Sequence, residues 1–523
     1  MTVRQTAGIN CFAFRNLYGK IWVSTIPSGF GRGGKKASME KKLVLNPYLP
    51  SYEYVPDGEP HVFGDRLYIY GSHDRFGGTT FCERDYVCWS APVEDLSSWR
   101  YEGVIYRKDQ DPVARETKAY MYAPDVCRGP DGRYYLYYGL DFRNRIAVAV
   151  CDTPAGEYAY YGTVSYPDGT VYGGKPGEPL RFDPGVLADD DGSVYLYTGF
   201  STTGFRFKLL SLVTGSHIDG LGSTVVKLAP DMKTLASEPK RLLPGVANSA
   251  GTGFEGHEFY EASSIRKFGG RYCAIYSSVL SHELAWAVSD RPDGGFAYKG
   301  ALHSNAGIFS GTAAATYWGN NHGSVERVGD RFYIFGHRQT NGTEFSRQGI
   351  AEVLELDEKG DFLPAALTTQ GLYGEPLPMA GRYEAATACL LQGKSGGCKN
   401  VSGIPGRLFH PYFTQEGGDR EEAPGQYIAN FGSGCAACWR YFRMPDRPVT
   451  LTVTFRTHGR TAARGELRVS DCRGGTAAVS ARVTCGRETR KASFPLTFPQ
   501  GPVELWLEYR GRGSIDVLAL EFE

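Results

Sequence analysis

The chain has 523 residues, more than one ordinary domain, and 41% are hydrophobic, enough for sizeable cores. Tyr (34), Phe (28), Trp (7) and Gly (67) are plentiful, which favours strands and tight turns over helices. Lys plus Arg and Asp plus Glu balance at 57 each, no long basic run follows the first forty residues, and no apolar stretch approaches the roughly 18 residues of a membrane helix; neither nucleic acid nor a membrane is expected as a partner.

Residues 1–44 read as an N-terminal extension, expected to be partly disordered. Arg4, Arg15, Lys20, Arg32, Lys35 and Lys36 punctuate Met1 to Ser38, no acidic residue occurs there, and there is no apolar core of a secretory signal. Met39-Glu-Lys-Lys-Leu is the natural beginning, and a cytoplasmic location is expected. The twelve cysteines are scattered, and the single CxxC, Cys435 to Cys438, lacks the second pair a zinc site would want, which fits a reducing compartment.

From residue 45 to 375 a short phrase recurs five times, a Gly or Asp turn followed by an aromatic-rich strand: Phe63 to Tyr70, Pro130 to Tyr137, Asp190 to Tyr197, Phe268 to Tyr276 and Val328 to Phe335. The copies lie at intervals of roughly 60 to 80 residues, with strand-like alternation between them and no long helical periodicity. This predicts an all-β fold, a five-bladed β-propeller with one blade per repeat. Eight to ten residues before the equivalent positions Arg66, Arg133, Ser193, Arg271 and Arg331 of the phrases stands one polar residue, Asp57, Asp125, Asp183, Glu261 and His322 in turn. In a propeller such positions fall on the innermost strands and converge on the axis.

Leu363 to Gly381 is rich in Pro and Gly and breaks the repeat. Beyond it, Val449 to Phe455, Glu466 to Val469, Val503 to Tyr509 and Ile515 to Phe522 alternate apolar and polar residues. Residues 376–523 therefore read as an antiparallel β-sandwich with one wet face per sheet.

Asp57, Asp183 and Glu261 each lie among aromatic, Pro or small residues. Three carboxyls converging under partial burial repel one another, and desolvation and crowding keep at least one protonated near neutral pH. One protonated and one ionised carboxyl is the equipment of glycosidic bond cleavage. Asp125 either orients a neighbour or touches the sugar. His322, the fifth of the series, is a candidate axial ligand for a water or a hard cation.

In these residues the chain resembles glycoside hydrolase family 43, over about residues 45 to 360: Asn46-Pro-Tyr-Leu-Pro with Pro56-Asp57, Tyr122-Ala-Pro-Asp125, Phe182-Asp183-Pro, Glu261-Ala-Ser-Ser and His322-Gly-Ser. The resemblance implies a five-bladed propeller that cleaves arabinose- and xylose-containing oligosaccharides with inversion. It implies Asp57 as general base, with Glu59 a rival, Glu261 as general acid and Asp183 as the residue that tunes and holds the acid. It implies that no cofactor is required, a structural calcium or water cluster being associated with His322. His73 and Asp74 would border the sugar pocket, Tyr122 stands where Trp is usual, and Arg338 resembles an arginine near the acid. Inversion would set the base and acid carboxyls roughly 6.5–9.5 Å apart. α-L-Arabinofuranosidase is the favoured activity, with β-xylosidase, endo-arabinanase and galactan exo-1,3-galactosidase as alternatives and a catalytically inactive glycan-binding propeller as the reading from another class. The C-terminal region is loosely similar to carbohydrate-binding module family 6, with Trp439 and Tyr427 as candidate sugar-stacking residues.

Overall fold

The computed structural model describes residues 42–523 except 142, 205–216, 309–312, 401–403, 405 and 476–478. The expectation for residues 1–41 lies outside the described residues. Among the described residues, no helix is long and apolar enough to cross a membrane.

Five antiparallel sheets follow one another along the chain, over residues 59–106, 121–163, 185–241, 259–304 and 325–354. The first four have four strands and the fifth has three, each in simple sequential order. The innermost strands, Glu59–Phe63, Met121–Arg128, Gly185–Ala188, Phe259–Phe268 and Val325–Val328, carry or directly follow the five polar residues of the repeat. Neighbouring inner strands touch one another, and Gly58 bridges Gly323 between the first and fifth.

The aromatic phrases form the second strand of each blade, and their side-chain parity closes the ring. Successive side chains of a strand point to opposite faces. In Arg66–Tyr70, Leu67 and Ile69 pack with Tyr333, Phe335 and Val328 of blade five, while Tyr68 and Tyr70 pack with Leu136 and Tyr138 of blade two. Tyr135 and Tyr137 face Val186, Val194 and Leu196 of blade three. Tyr197 meets Ala274 and Tyr276 of blade four, whose Cys273 and Ile275 meet Val325 and Ile334 of blade five. Both faces of every phrase are therefore buried between blades, and this is why the phrases read as continuous apolar and aromatic runs rather than as alternation. The ring is sealed by the entering segment: Val44, Tyr48, Leu49 and Val55 join the core between blades five and one. Asn46 fixes that segment by donating from Nδ2 to Ala351 O and Glu352 Oε1, both at 3.0 Å, and accepting from Ala351 N at 2.9 Å.

From Leu377 onward the chain builds two six-stranded sheets, packed face to face over one core that includes Leu451, Val453, Phe455, Leu467, Leu505, Val517 and Leu520. The predicted alternation is the alternation of this sandwich. Trp439 is not a sugar platform: it is 0% exposed, inside the sandwich core. Tyr427 is half-buried under the guanidinium of Arg456, 5.0 Å from its ring centre.

The sandwich grips the propeller. Tyr54 donates to Gln415 Oε1 at 2.5 Å, Phe76 N–H to Asp419 Oδ1 at 2.8 Å, Gln426 to Ser51 O at 2.8 Å, and Thr369 N–H to Arg440 O at 2.6 Å. Asp419 also pairs with Arg84, and Arg420 with Glu53. Because Trp439 is core, Trp439→Ala should destabilise the protein by about 3–5 kcal/mol in chemical denaturation. Unchanged stability together with lost binding to a pentose polysaccharide would contradict its placement.

Candidate active site

Each of the three acids sits on unusual backbone. Asp57 has φ 56° and Asp183 φ 43°, and Ala262, which follows Glu261, has φ 66°. Register shifts flank Glu261 where its strand pairs with Arg271–Ser278. Left-handed residues break the regular ladder and re-aim side chains, and Asp tolerates that region better than most residues. The consequence is that the inner strands present their carboxyls at one end of the axis, where Asp57 and Asp183 both bear electrostatically on Glu261.

Asp57 is buried, and burial alone would raise its pKa; the Arg347 guanidinium, with smaller help from His322, outweighs that and holds it below the ordinary carboxylate value. The geometry is direct. Arg347 Nη1 donates to Asp57 Oδ1 at 2.8 Å, while its Nε and Nη2 fork onto Asp74 at 2.8 and 3.0 Å. Arg347 is 1% exposed, so this triad is shielded from water and its interactions are strong. Asp57 N–H donates to His337 Nδ1 at 3.3 Å, and His337 Nε2–H donates to Asn320 O at 2.7 Å. That fixes one tautomer, and burial depresses the ring to about 3, so His337 stays neutral.

Glu261 has the opposite environment. Burial, then the charge of Asp183, push its carboxyl up to about 8; His322 opposes them, Asp57 adds a smaller raising effect and Lys399 a smaller lowering one. Burial also raises Asp183, with the hydrogen bond from His322 opposing. At neutral pH the site thus holds Asp57 ionised and Glu261 protonated.

His322 lies between two carboxylates, its Nδ1 3.5 Å from Asp183 Oδ2 and its Nε2 3.6 Å from Glu59 Oε1. Burial would lower its pKa, but these carboxylates raise it well above the ordinary value. With Asp183 and Glu59 on either side, His322 lies where the expected calcium or water cluster would sit, and its ring could hold a metal only on an unprotonated nitrogen. Further along the axis Glu59, His61 and Asp125 bring ligand atoms within 4.8 Å of one another. There the countercharge is Arg266, whose Nη2 donates to Glu59 Oε2 at 2.6 Å and lies 3.3 Å from His61 Nε2. Glu59, paired with Arg266 and with Ser264 Oγ at 2.9 Å, belongs to this axial plug and not to the reacting pair.

Four of the five expected substrate contacts are engaged inside the protein instead. Asp74 holds Arg347 and accepts from Cys82 N at 3.0 Å. His73 is buried, donates from Nδ1 to Asp85 O at 2.7 Å, and is depressed by burial to about 4. Asp125 ties blades two and three: it accepts from His61 Nε2 at 2.6 Å and from the Val126 and Val186 N–H groups, each at 2.8 Å. Arg338 points to the sandwich, donating to Ala386 O at 2.6 Å and lying 4.3 Å from the Phe413 ring centre. Tyr122 is the exception. Half-buried, it begins an aromatic chain with Phe182, Phe200 and Tyr260, with successive ring centroids 5.6, 5.5 and 5.1 Å apart. This chain forms an apolar wall beside the acids.

Arg347 and His337 carry no signal in the repeat. Arg347 opens the third strand of blade five, Arg347–Leu354, outside the recurring phrase. His337 is one residue from Arg338, and strand parity alone turns it toward Asp57 and Arg338 away.

A β-propeller whose axis holds one ionised and one protonated carboxyl beside an aromatic wall is the architecture of a glycoside hydrolase. Residues 53–362 match the family described as Glycosyl hydrolases family 43. A "Xylosidase/arabinosidase" of Thermoclostridium stercorarium is 44% identical over 480 residues, covering 91% of this chain and 98% of that protein. A "Xylosidase/arabinosidase" of Bacteroides ovatus is 29% identical over 310 residues, covering 55% of this chain and 87% of its own length. Among solved structures, a family 43 arabinoxylan arabinofuranohydrolase from Bacillus subtilis in complex with cellotetraose aligns over 91% of this chain and 97% of its own, with 19% identity and a TM-score of 0.47. The chain belongs to glycoside hydrolase family 43 and is a glycosidase.

Arg347→Lys keeps the positive charge but cannot bridge Asp57 and Asp74 with one fork. It should move the acid limb of the kcat/KM profile to higher pH and reduce kcat/KM at its optimum by about tenfold or more. An unchanged profile would show that Arg347 does not set the state of Asp57.

Proposed function

We propose that the enzyme removes single arabinose or xylose units from short plant-type oligosaccharides with inversion, with α-L-arabinofuranosidase as the first activity and β-xylosidase as the second. The observation that carries this reading is the contrast between two buried carboxyls: Asp57 takes the Arg347 guanidinium at 2.8 Å, which holds its pKa low, while Glu261 is buried beside Asp183, which pushes its pKa up to about 8. The names of the 44% identical relative and of the Bacteroides relative support the sugars.

In this mechanism Asp57 takes a proton from a water, whose oxygen bonds to the anomeric carbon as the bond to the leaving oxygen breaks. Glu261 gives its proton to that leaving oxygen. The new hydroxyl stands on the opposite face of the sugar from the departed group. Asp183 and the His322 imidazolium, held at 3.5 Å, fix the field around the acid. The Tyr122 to Tyr260 wall offers the sugar ring an apolar face. A glycan-binding propeller without turnover gains nothing from crowding Asp57, Asp183 and Glu261 at a desolvation cost, which favours the hydrolase.

Glu261→Gln tests the acid. It should lower kcat on a pentose disaccharide by roughly 10²–10⁴-fold, lower it far less on a dinitrophenyl pentoside that leaves without protonation, and remove the basic limb expected of the wild type near pH 8. Equal losses on both substrates, or none, would remove Glu261 from that role.

A further inference from the structure

Lys399 lies in the chain between Leu390–Gln392 and Tyr412–Gln415 of the sandwich, yet it is fastened to the propeller. Trp318 N–H donates to Cys398 O at 3.1 Å and Asn400 N–H donates to Trp318 O at 2.7 Å, so Lys399 sits in a bridge with Trp318. Its ammonium lies 5.2 Å from the centre of the Trp318 ring and donates to Ser281 Oγ at 3.2 Å. Trp318 stands edge-on to His282, with centroids 5.0 Å apart.

The segment from Trp318 to His322 is itself rigidly held. Asn320 O accepts from His337 Nε2 and from Gln339 Nε2, both at 2.7 Å, and Asn321 Nδ2 donates to His282 O at 3.2 Å. Trp318 is partly exposed and Lys399 is exposed. An indole and an ammonium are thus fixed at an accessible place at the Glu261 end of the fourth blade: Ser281, which Lys399 holds, follows Ser277, the residue paired with Glu261 across the first two strands, by four residues.

A general acid must touch the leaving oxygen. Solvent-facing groups at the end of the blade that carries Glu261 are therefore placed toward the part of the substrate that departs. An indole suits the apolar face of a sugar ring, and an ammonium donates to hydroxyl oxygens without needing a fixed angle. We propose that Trp318 and Lys399 form a subsite for the leaving-group sugar of an oligosaccharide, which the C-terminal region completes by supplying Lys399. The subsite rests on the assignment of Glu261 as general acid. It makes the sandwich part of the active site rather than an appended module, and it predicts that oligosaccharides are better substrates than pentosides lacking a second ring.

The test uses the full chain at about pH 6, where the Glu261 carboxyl is protonated. kcat/KM is measured on a pentose disaccharide and on the matching glycosyl fluoride, which carries no leaving sugar. Lys399→Met should lower the disaccharide-to-fluoride ratio about tenfold, the size of one lost hydrogen bond to a charged donor, through KM more than kcat. Lys399→Arg should restore part of it. A ratio within about twofold of wild type in Lys399→Met overturns the subsite. If the ratio is unchanged while Glu261→Gln is inactive on the disaccharide, only the subsite falls; if Glu261→Gln keeps full activity, the acid assignment falls and the subsite with it.

Discussion

Charge balance along a dry axis is the constraint on which the rest of the structure depends. Four of the five inner strands bring Asp57, Glu59, Asp125, Asp183 and Glu261 into one narrow space, all of them buried. Ionised carboxylates in such a place need cations or protons. Arg347 compensates Asp57 and Asp74 on one side, the His322 imidazolium stands between Asp183 and Glu59, and Arg266 neutralises the deeper group. Among the described residues, Glu261 is the one of these carboxyls that forms no ion pair. A proton is then the least costly way to neutralise it, and its protonated form follows from the arrangement of its neighbours.

The ring that creates this axis is held by side-chain parity. Each recurring phrase has two buried faces, one against the preceding blade and one against the next, so the five interblade cores form a closed set. That is why the architecture was legible from the chain alone: the turn, the aromatic run and the polar residue upstream recur in fixed relation, and the fold needs that relation at every blade. The three acids were legible for the same reason. The residues that tune them were not. Arg347 lies on a third strand where the repeat imposes no pattern, and its role depends on Asp74, which is remote in sequence. His337 and Arg338 are adjacent, and without the register of Arg331–Gln339 nothing distinguishes the one facing Asp57 from the one facing Phe413. Trp439 misled in the opposite direction, because an aromatic in a sandwich strand has the same sequence signature inside the core as on its surface.

The sandwich is bound to the propeller by side chains that are themselves near the site. Asp419 receives the Phe76 N–H, two residues beyond Asp74, and Arg420 pairs with Glu53, which also accepts from Trp89 Nε1 at 2.5 Å. The loop carrying Asp74 is thereby supported from the second domain. Arg338 serves the same junction: its guanidinium caps carbonyl oxygens of the sandwich, and burial lowers its pKa to about 9. Two domains that could be read as catalyst and accessory are coupled through residues beside Asp74, which shares Arg347 with Asp57.

The central claim is that Glu261 carries a proton at neutral pH while Asp57 does not. Difference infrared spectroscopy of wild type against Glu261→Gln, followed as a function of pH, reads this directly from the carbonyl band of a protonated carboxyl. The account predicts a band present at neutral pH that titrates away near pH 8 and is absent from the variant. A difference spectrum with no such band at neutral pH, its carboxylate signal already complete at mildly acidic pH, would contradict it.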